Sequence, residues 1–450
     1  MIVATAPTGM RRTIGLWRST AMVIGTIIGA SIFVQPSEIT GQVPTVGGIL
    51  LVWLLAGVLT LLGCLVTAEL ASAFPRSGGV YEFLRQAYAP SVGFLWGWGM
   101  FWSMHSGIIA AIAVIFARYM AFFIPLDASG TRAVAVAGIL VLSAINYVGV
   151  RSGSIVQTAF TAGKVLAIAV MIVIGLLLGG QAASPSGAEA VAAPAPSFQT
   201  FALAMIAGLF AYGGWHMVTY AADETIEPRT TIPRALLIGV GTVTVCYLLL
   251  NVVYVYVLPV EAVRASSRVA ADAADAVIGT GGAAFMSGLV VFSTFGALSG
   301  IILAGPRVYY SMARDGLLFR RFGEVHPRFR TPHRAIVVQA LWASVLVVTG
   351  TYRELFTRVI YTEWAFFALM AAGLLVLRRR PDYEPTYRMP FVPVAPLVFV
   401  AASAVIVFNQ IVSDPVESLT GLLLVAAGAP VFLVWTRWRD AKGGFLGARN

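Results

Sequence analysis

The chain is a succession of long apolar stretches joined by short loops, and this feature limits its fold more than any other. A helix that crosses a membrane needs about 20 apolar residues, and the sequence divides into twelve stretches of that kind. They fall near residues 15–40, 47–73, 91–123, 133–149, 155–179, 199–225, 234–258, 284–313, 334–349, 355–377, 391–413 and 417–437. With 58% hydrophobic and 11% charged residues, we expect an all-α polytopic membrane protein without a soluble domain.

The distribution of the basic residues indicates how the chain is oriented in the membrane. The net charge is +10, but the Lys and Arg residues are concentrated in alternate loops. These residues are Arg11, Arg12 and Arg18; Arg76 and Arg85; Arg151; Arg229 and Arg234; Arg314 to Arg334; Arg378 to Arg388; and Arg437 to the end. Basic loops stay on the cytoplasmic side. We therefore expect both termini in the cytoplasm of a bacterial-type inner membrane, and no nucleic-acid partner.

Two apolar stretches are interrupted by glycine at matching places in the two halves of the chain. The first interruption is Gly25-Thr26-Ile27-Ile28-Gly29-Ala30-Ser31, and the second is Phe210-Ala211-Tyr212-Gly213-Gly214-Trp215-His216. Glycines weaken a helix, and backbone groups freed inside a membrane are tolerated where protein or a water-lined cavity satisfies them. Paired interruptions of this kind indicate the substrate site of a secondary transporter. The alternative is close helix packing by small residues.

The residue types at the two interruptions favour a zwitterionic ligand. The start of a half-helix presents free N–H groups to a carboxylate, and the end of one presents free carbonyls to an ammonium. Neither interruption contains a charged side chain, which favours neutral amino acids. The candidate substrate-binding residues are Thr26, Ile28, Gly29, Ala30, Ser31, Phe210, Ala211, Tyr212, Gly213, Trp215 and His216.

Three aromatic side chains of the second interruption have two interpretations each. Phe210 and Trp215 are expected to form a lid and a wall of the site, or else to be ordinary core or lipid-facing aromatics. His216 is either a hydrogen-bonding or proton-carrying group on the cavity wall, or a structural histidine.

Two further charged positions are functional candidates. Lys164 lies inside an apolar stretch, where an ionisable side chain suggests function; the alternative is a side chain that reaches back to the cytoplasmic interface. Asp223 and Glu224 follow the second interruption. We expect them, with Phe210, to form an inner gate that pairs with arginines of the N-terminus or neighbouring loops, or else to be simply solvated.

Several motifs resemble the amino acid–polyamine–organocation superfamily, and within it the L-type amino acid transporters. They are IGLWRSTAMVIGTIIGASIF, TAELASAFPRSGGVYEFLRQAY, TAGKVLAIAV, FAYGGWHMVTYAADETIEPRTTIPRA and FGALSGIILAGPRVYYSMARDG. The resemblance implies two inverted repeats of five helices, residues 14–180 and 199–378, joined by an external linker at 181–198 and working by alternating access. Helices 11 and 12 would follow at 379–437, between cytoplasmic tails at 1–13 and 438–450.

The resemblance also implies roles for individual residues. Lys164 would place its ammonium where sodium-coupled relatives bind sodium, near the carbonyl of Gly25 and the hydroxyls of Ser293 or Thr294. L-type members typically have Gly-Ser-Gly where this chain has Gly29-Ala30-Ser31, so the site is expected to be smaller. They also typically have Asn where this chain has His216. Residues 122–131 contain no cysteine, so no covalently linked heavy chain is expected.

These observations favour a secondary transporter of small neutral L-amino acids that works by sodium-independent exchange. Proton-coupled uptake of an amino acid or amine is the alternative. An intramembrane enzyme is disfavoured because the sequence lacks the common hydrolase motifs and its four histidines are scattered. A channel is disfavoured because no repeated filter or ring of charges is visible. We expect no cofactor and no metal.

Overall fold

The computed structural model describes residues 12–29, 31–182, 196–279, 281–350 and 352–441, and in these residues the fold is helical. The first half contains α1 (Leu16–Ile27), α2 (Gln35–Gln42), α3 (Val46–Ala73), α4 (Val80–Ala87), α5 (Pro90–Gly99), α6 (His105–Met120), α7 (Ala128–Val148) and α8 (Val150–Ala182). The second half contains α9 (Phe198–Ala211), α10 (Pro228–Val257), α11 (Val260–Ala265), α12 (Val269–Ile278), α13 (Gly282–Arg314), α14 (His333–Thr349), α15 (Tyr352–Leu377), α16 (Val394–Ser413), α17 (Pro415–Ala426) and α18 (Gly428–Ala441).

Nine helical segments in the described ranges are long and apolar enough to cross a membrane. They are Val46–Ala73, Pro90–Met120, Ala128–Val148, Gln157–Gly179, Phe198–Glu224, Pro228–Val257, Gly282–Arg314, Val394–Ser413 and Ser418–Arg439. Two shorter apolar helices cover His333–Thr349 and Tyr361–Leu377. The first predicted stretch is divided between α1 and α2, so neither piece reaches spanning length alone. The chain is thus an integral membrane protein.

Short helices also form in the loops. The segment after α3 folds into α4 once Gly78 and Gly79 have turned the chain at positive φ values of 115° and 49°. The small and acidic residues between α10 and α13 form α11 and α12. Most of the predicted linker at 181–198 lies outside the described residues.

The helices are arranged around α1 and the residues that follow α9. α1 contacts α10, α8 and α13, as well as the 3₁₀ turns that run from Trp215 to Glu224. α13, a helix of 33 residues, also packs against α6 and α8. The two interrupted segments therefore lie next to each other in the middle of the bundle.

Candidate functional site

The first interruption is a break in the helix at the predicted place. α1 ends at Ile27, and Ile28 leaves the helical conformation with a ψ of 82°. A 3₁₀ turn over Ser31–Phe33 follows, and α2 begins at Gln35 with a proline in its first turn. At the break the Gly29 N–H donates to the Ile27 carbonyl at 2.7 Å instead of to the Gly25 carbonyl, so the Gly25 carbonyl is free of the α-helical ladder. Ala30, a candidate binding residue, lies outside the described residues.

The second interruption is also a break. α9 ends at Ala211, the Gly213 N–H donates to the Phe210 carbonyl at 2.9 Å, and Gly214 has a positive φ of 95°. A side chain at Gly214 would be strained at this φ, and its Cβ would also approach the Thr26 carbonyl oxygen to 2.9 Å. Glycine at this position thus allows both the turn and a close approach to the first break.

The two breaks are in direct contact. The Thr26 hydroxyl lies 3.1 Å from the Gly214 carbonyl oxygen. The Tyr247 hydroxyl, from α10, lies 3.0 Å from the Ile27 carbonyl oxygen and 3.1 Å from the Ala211 carbonyl oxygen. Tyr247 therefore joins the last helical turns of α1 and α9 through these two carbonyls. Thr26, Ser31 and Phe210 are all buried, so the site is closed in this structure.

Lys164 binds the first break. It is 1% exposed, and its ammonium donates to the Gly25 carbonyl at 2.8 Å and to the Ile28 carbonyl at 2.5 Å. Both acceptors are free because the helix ends here. The alternative, in which the side chain reaches the cytoplasmic interface, does not occur in this structure.

The other residues expected around Lys164 have distinct positions. A Cβ at Gly25 would collide with the Thr161 hydroxyl of α8, so glycine allows the close contact between α1 and α8. The Ser293 hydroxyl donates to the Gly29 carbonyl at 3.3 Å. The Thr294 hydroxyl instead donates to carbonyls of its own helix, at 2.8 and 3.0 Å. Of the two hydroxyls, only that of Ser293 has a hydrogen bond to the break within the described ranges.

The aromatic residues of the second break point in different directions. The Tyr212 hydroxyl donates to the Trp53 carbonyl at 3.3 Å, so this side chain packs against α3. The Trp215 ring lies against Gly63 and is 5.1 Å from the Phe367 ring. His216 is 1% exposed, neither ring nitrogen has a hydrogen-bond partner among the described residues, and its ring lies 4.9 Å from Phe367. Trp215 and His216 thus face α15 rather than the first break.

Glu224 has a different partner from the one predicted. It forms a buried ion pair with Arg307 of α13, with Arg307 Nη2 2.8 Å from Glu224 Oε2 and both side chains 2% exposed. For Glu224, the prediction of an arginine from the N-terminus or a loop is wrong, because the 3₁₀ turns direct this side chain inward. Asp223 lines a cavity of about 490 Å³ together with Arg12, Arg76 and Arg229.

The N-terminal segment closes the same end of the bundle through its backbone. The Thr13 and Ile14 N–H groups donate to the Glu224 carbonyl at 2.8 and 3.0 Å, and the Ile226 N–H donates to the Ile14 carbonyl at 2.9 Å. Ile14 is 1% exposed. The start of α1 is therefore tied to the end of the second broken segment.

Comparison with known proteins identifies the family. The amino acid permease family matches residues 14–435. The chain belongs to this amino acid permease family. It is 32% identical to the serine/threonine exchanger SteT of Bacillus subtilis (strain 168), over 95% of this chain and 98% of that protein. It is 30% identical to the human b(0,+)-type amino acid transporter 1 (96% and 89%) and 32% identical to the mouse Asc-type amino acid transporter 1 (97% and 83%).

These matches confirm the resemblance to L-type transporters of the amino acid–polyamine–organocation superfamily. The chain is a permease for amino acids, and not an enzyme. In this permease the two breaks bring backbone carbonyls of both segments next to each other. In general, carbonyls at the end of a half-helix can bind an ammonium, and N–H groups at the start of one can bind a carboxylate, without any charged side chain.

Three residues of this permease that the sequence analysis did not single out contribute to the site. Tyr247 had no distinguishing signal, because it is one aromatic residue in an apolar stretch. Arg307 did carry a signal, since an arginine inside a spanning stretch calls for a partner. Thr161 lies one turn before Lys164 on α8, and its hydroxyl is 3.1 Å from the Ala21 carbonyl oxygen, so it supports the same contact between α8 and α1.

Proposed function

We propose that this permease exchanges small neutral L-amino acids across the membrane by alternating access, without sodium. The observation that carries the proposal is the meeting of two broken helices at the centre of the bundle, with the Lys164 ammonium on the carbonyls of the first break. This is the arrangement in which a site can form between two moving parts and be opened to either side.

The substrate would be bound by the backbone of both breaks. Its carboxylate would accept from N–H groups near Gly29 and Ser31, and its ammonium would donate to carbonyls near Phe210. The proposed binding residues remain Thr26, Ile28, Gly29, Ala30, Ser31, Phe210, Ala211, Tyr212, Gly213, Trp215 and His216. No Asp, Glu, Lys or Arg occurs within either break, which favours a neutral side chain on the substrate.

Sodium independence is proposed from the position of Lys164. Its ammonium already supplies one positive charge to the carbonyls of Gly25 and Ile28. A sodium ion at the same carbonyls would stand next to this charge and would be repelled by it. Gly25 and Ser293 would complete this surrogate of a sodium site, and Thr294 would support it from α13.

Alternating access would require the cytoplasmic seal to open. We assign the cytoplasmic seal to the backbone pairing of Ile14 with Thr225 and to the buried ion pair of Glu224 and Arg307. Asp223, at the cavity beside this ion pair, and Phe210 would complete the inner gate.

The basic loops favour cytoplasmic termini and a bacterial inner membrane. We also propose twelve spans, with inverted repeats at residues 14–180 and 199–378.

We propose a small side chain on the substrate because Ser31 stands where L-type members typically have glycine, which leaves less room. Ser31 lies in the turn after the first break and is 4% exposed. The match to a protein named a serine/threonine exchanger supports this class of substrate and the exchange mechanism. We further propose that no heavy chain is covalently linked, because residues 122–131 contain no cysteine.

Counterflow in proteoliposomes tests the proposal. Vesicles loaded with unlabelled L-serine should take up labelled L-serine, and empty vesicles should take up much less. Uptake should be unchanged when sodium is replaced by choline, and it should be inhibited by alanine and threonine more than by leucine and phenylalanine. Uptake that needs sodium, or that does not depend on internal amino acid, would contradict the proposal, and an ion current would indicate a channel.

A further inference from the structure

Glu363 is a carboxylic acid in the middle of α15 that the proposed site does not use. It is 2% exposed, and its carboxyl group makes no hydrogen bond or ion pair with the described residues. The other carboxylates that are equally buried in the described ranges have such partners. Glu224 pairs with Arg307, and Glu69 pairs with Arg378 at 2.6 Å.

The helical repeat places Glu363 on the face of α15 that contacts the second break. Residues three, four and seven positions apart share one face of a helix, and here they are Phe366, Phe367 and Met370. The Phe367 ring lies 5.1 Å from Trp215 and 4.9 Å from His216. The Phe366 ring lies 5.4 Å from Trp96. This face of α15 therefore covers the first residues after the break.

Glu363 lies closer to the level of the break than Phe367 does. α15 and the segment that ends at Glu224 run toward the same side of the membrane. Arg378, directly after α15, binds Glu69 near the end of α3. Asp223 contacts Ser77, which follows the end of α3. Four residues span about 6 Å along a helix. Glu363 is therefore about one turn from Phe367 in the direction of the break.

Titratable groups lie near Glu363, and none of the cations among the described residues pairs with it. Tyr220, on the segment after the second break, is near enough to interact with it electrostatically. The His216 ring lies 5.5 Å from the Tyr220 ring, Tyr309 of α13 also interacts with Tyr220, and His105 of α6 interacts with His216. The Arg378 guanidinium lies 15 residues further along the chain, roughly 22 Å away along the helix axis, and is bound to Glu69.

A carboxylate that is buried without a cation or hydrogen-bond donors is strongly disfavoured, and such a group takes up a proton instead. We therefore expect Glu363 to be neutral in the closed structure. Opening of the break would let water reach the carboxyl group, which could then ionise. Closure around the substrate would then require a proton to return.

We propose that Glu363 is a proton-binding site whose occupancy controls closure of the pocket at the second break. The ligand is a single proton from water, which forms the O–H bond of the carboxyl group and leaves again to water on opening. Substrate translocation would then need a protonated Glu363. This proposal rests on the transport function proposed above, and it supplies a coupling group separate from Lys164.

Counterflow at equal internal and external pH tests the proposal with Glu363→Gln, in which the amide imitates the neutral acid. Wild-type uptake should fall as the pH is raised, approaching about tenfold per pH unit where most of the carriers have lost the proton. Glu363→Gln should transport with a flat pH profile. The matched control is Glu261→Gln, because Glu261 is an exposed acid on α11; it should keep the wild-type profile.

Proton uptake on substrate binding is a second measurement that does not depend on the variant. L-serine would be added to purified wild-type protein in a weakly buffered solution at alkaline pH. The pH of the solution should rise, because about one proton is taken up per bound substrate. A wild-type profile in Glu363→Gln, or substrate binding by the wild type without proton uptake, would overturn the proposal. Absence of any counterflow or binding by the wild type would instead contradict the transport function.

Discussion

Replacing Lys164 by alanine should release the first break from α8. The ammonium makes two hydrogen bonds, to the Gly25 carbonyl at 2.8 Å and to the Ile28 carbonyl at 2.5 Å. A hydrogen bond to a charged group contributes about 1.5–3 kcal/mol, so the two together contribute roughly 3–6 kcal/mol. If they exist only in the closed form, their loss shifts the closed-to-open ratio by roughly 10²- to 10⁴-fold.

The shift can be measured as labelling of a cysteine at Ile14, which is 1% exposed in the closed structure. The native cysteines, Cys64 and Cys246, would first be replaced by alanine. Lys164→Ala should increase the rate at which a thiol reagent modifies Ile14→Cys and should strongly reduce counterflow. Leu166→Ala is the control, because Leu166 is 66% exposed on the same helix; it should change neither. Normal counterflow and unchanged labelling in Lys164→Ala would refute the assigned role.

Three further variants test other parts of the site. Ser31→Gly should improve uptake of leucine relative to alanine, by a factor that corresponds to about 1–3 kcal/mol at most; a wild type that already prefers leucine would contradict the size argument. Glu224→Gln and Arg307→Met should each destabilise the protein by about 3–5 kcal/mol, because one partner of a buried pair is left alone. The double variant should recover much of that loss in thermal unfolding; additive losses would show that the pair is not coupled. Tyr247→Phe should reduce counterflow, since it removes the hydroxyl between the Ile27 and Ala211 carbonyls, and full activity would show that this link is dispensable.

The sequence predicts the parts of the site that depend on local composition. Glycines inside apolar stretches identified both breaks, because weakening a helix is a local effect of the residues themselves. Lys164 was recognisable for the same reason, as a rare charge in an apolar stretch.

The contacts between distant elements could not be predicted in this way. Glu224 pairs with Arg307, 83 residues away, and nothing in the local pattern selects α13 over an N-terminal arginine. The orientations of Trp215 and His216 toward α15 depend on how the 3₁₀ turns leave the break. Tyr247 contacts both breaks only because α10 packs against α1 and α3.

Equilibrium binding of L-serine to glycine variants tests the central claim, that substrate binds between the two breaks. A Cβ at Gly213 would approach the Phe210 carbonyl oxygen to 3.0 Å, whereas a Cβ at Gly241 on α10 would meet nothing within 4 Å. The account predicts saturable binding to the wild type and to Gly241→Val. It predicts no saturable binding to Gly213→Val, although this variant should purify as a monodisperse protein. Binding of L-serine to Gly213→Val with wild-type affinity would contradict the account.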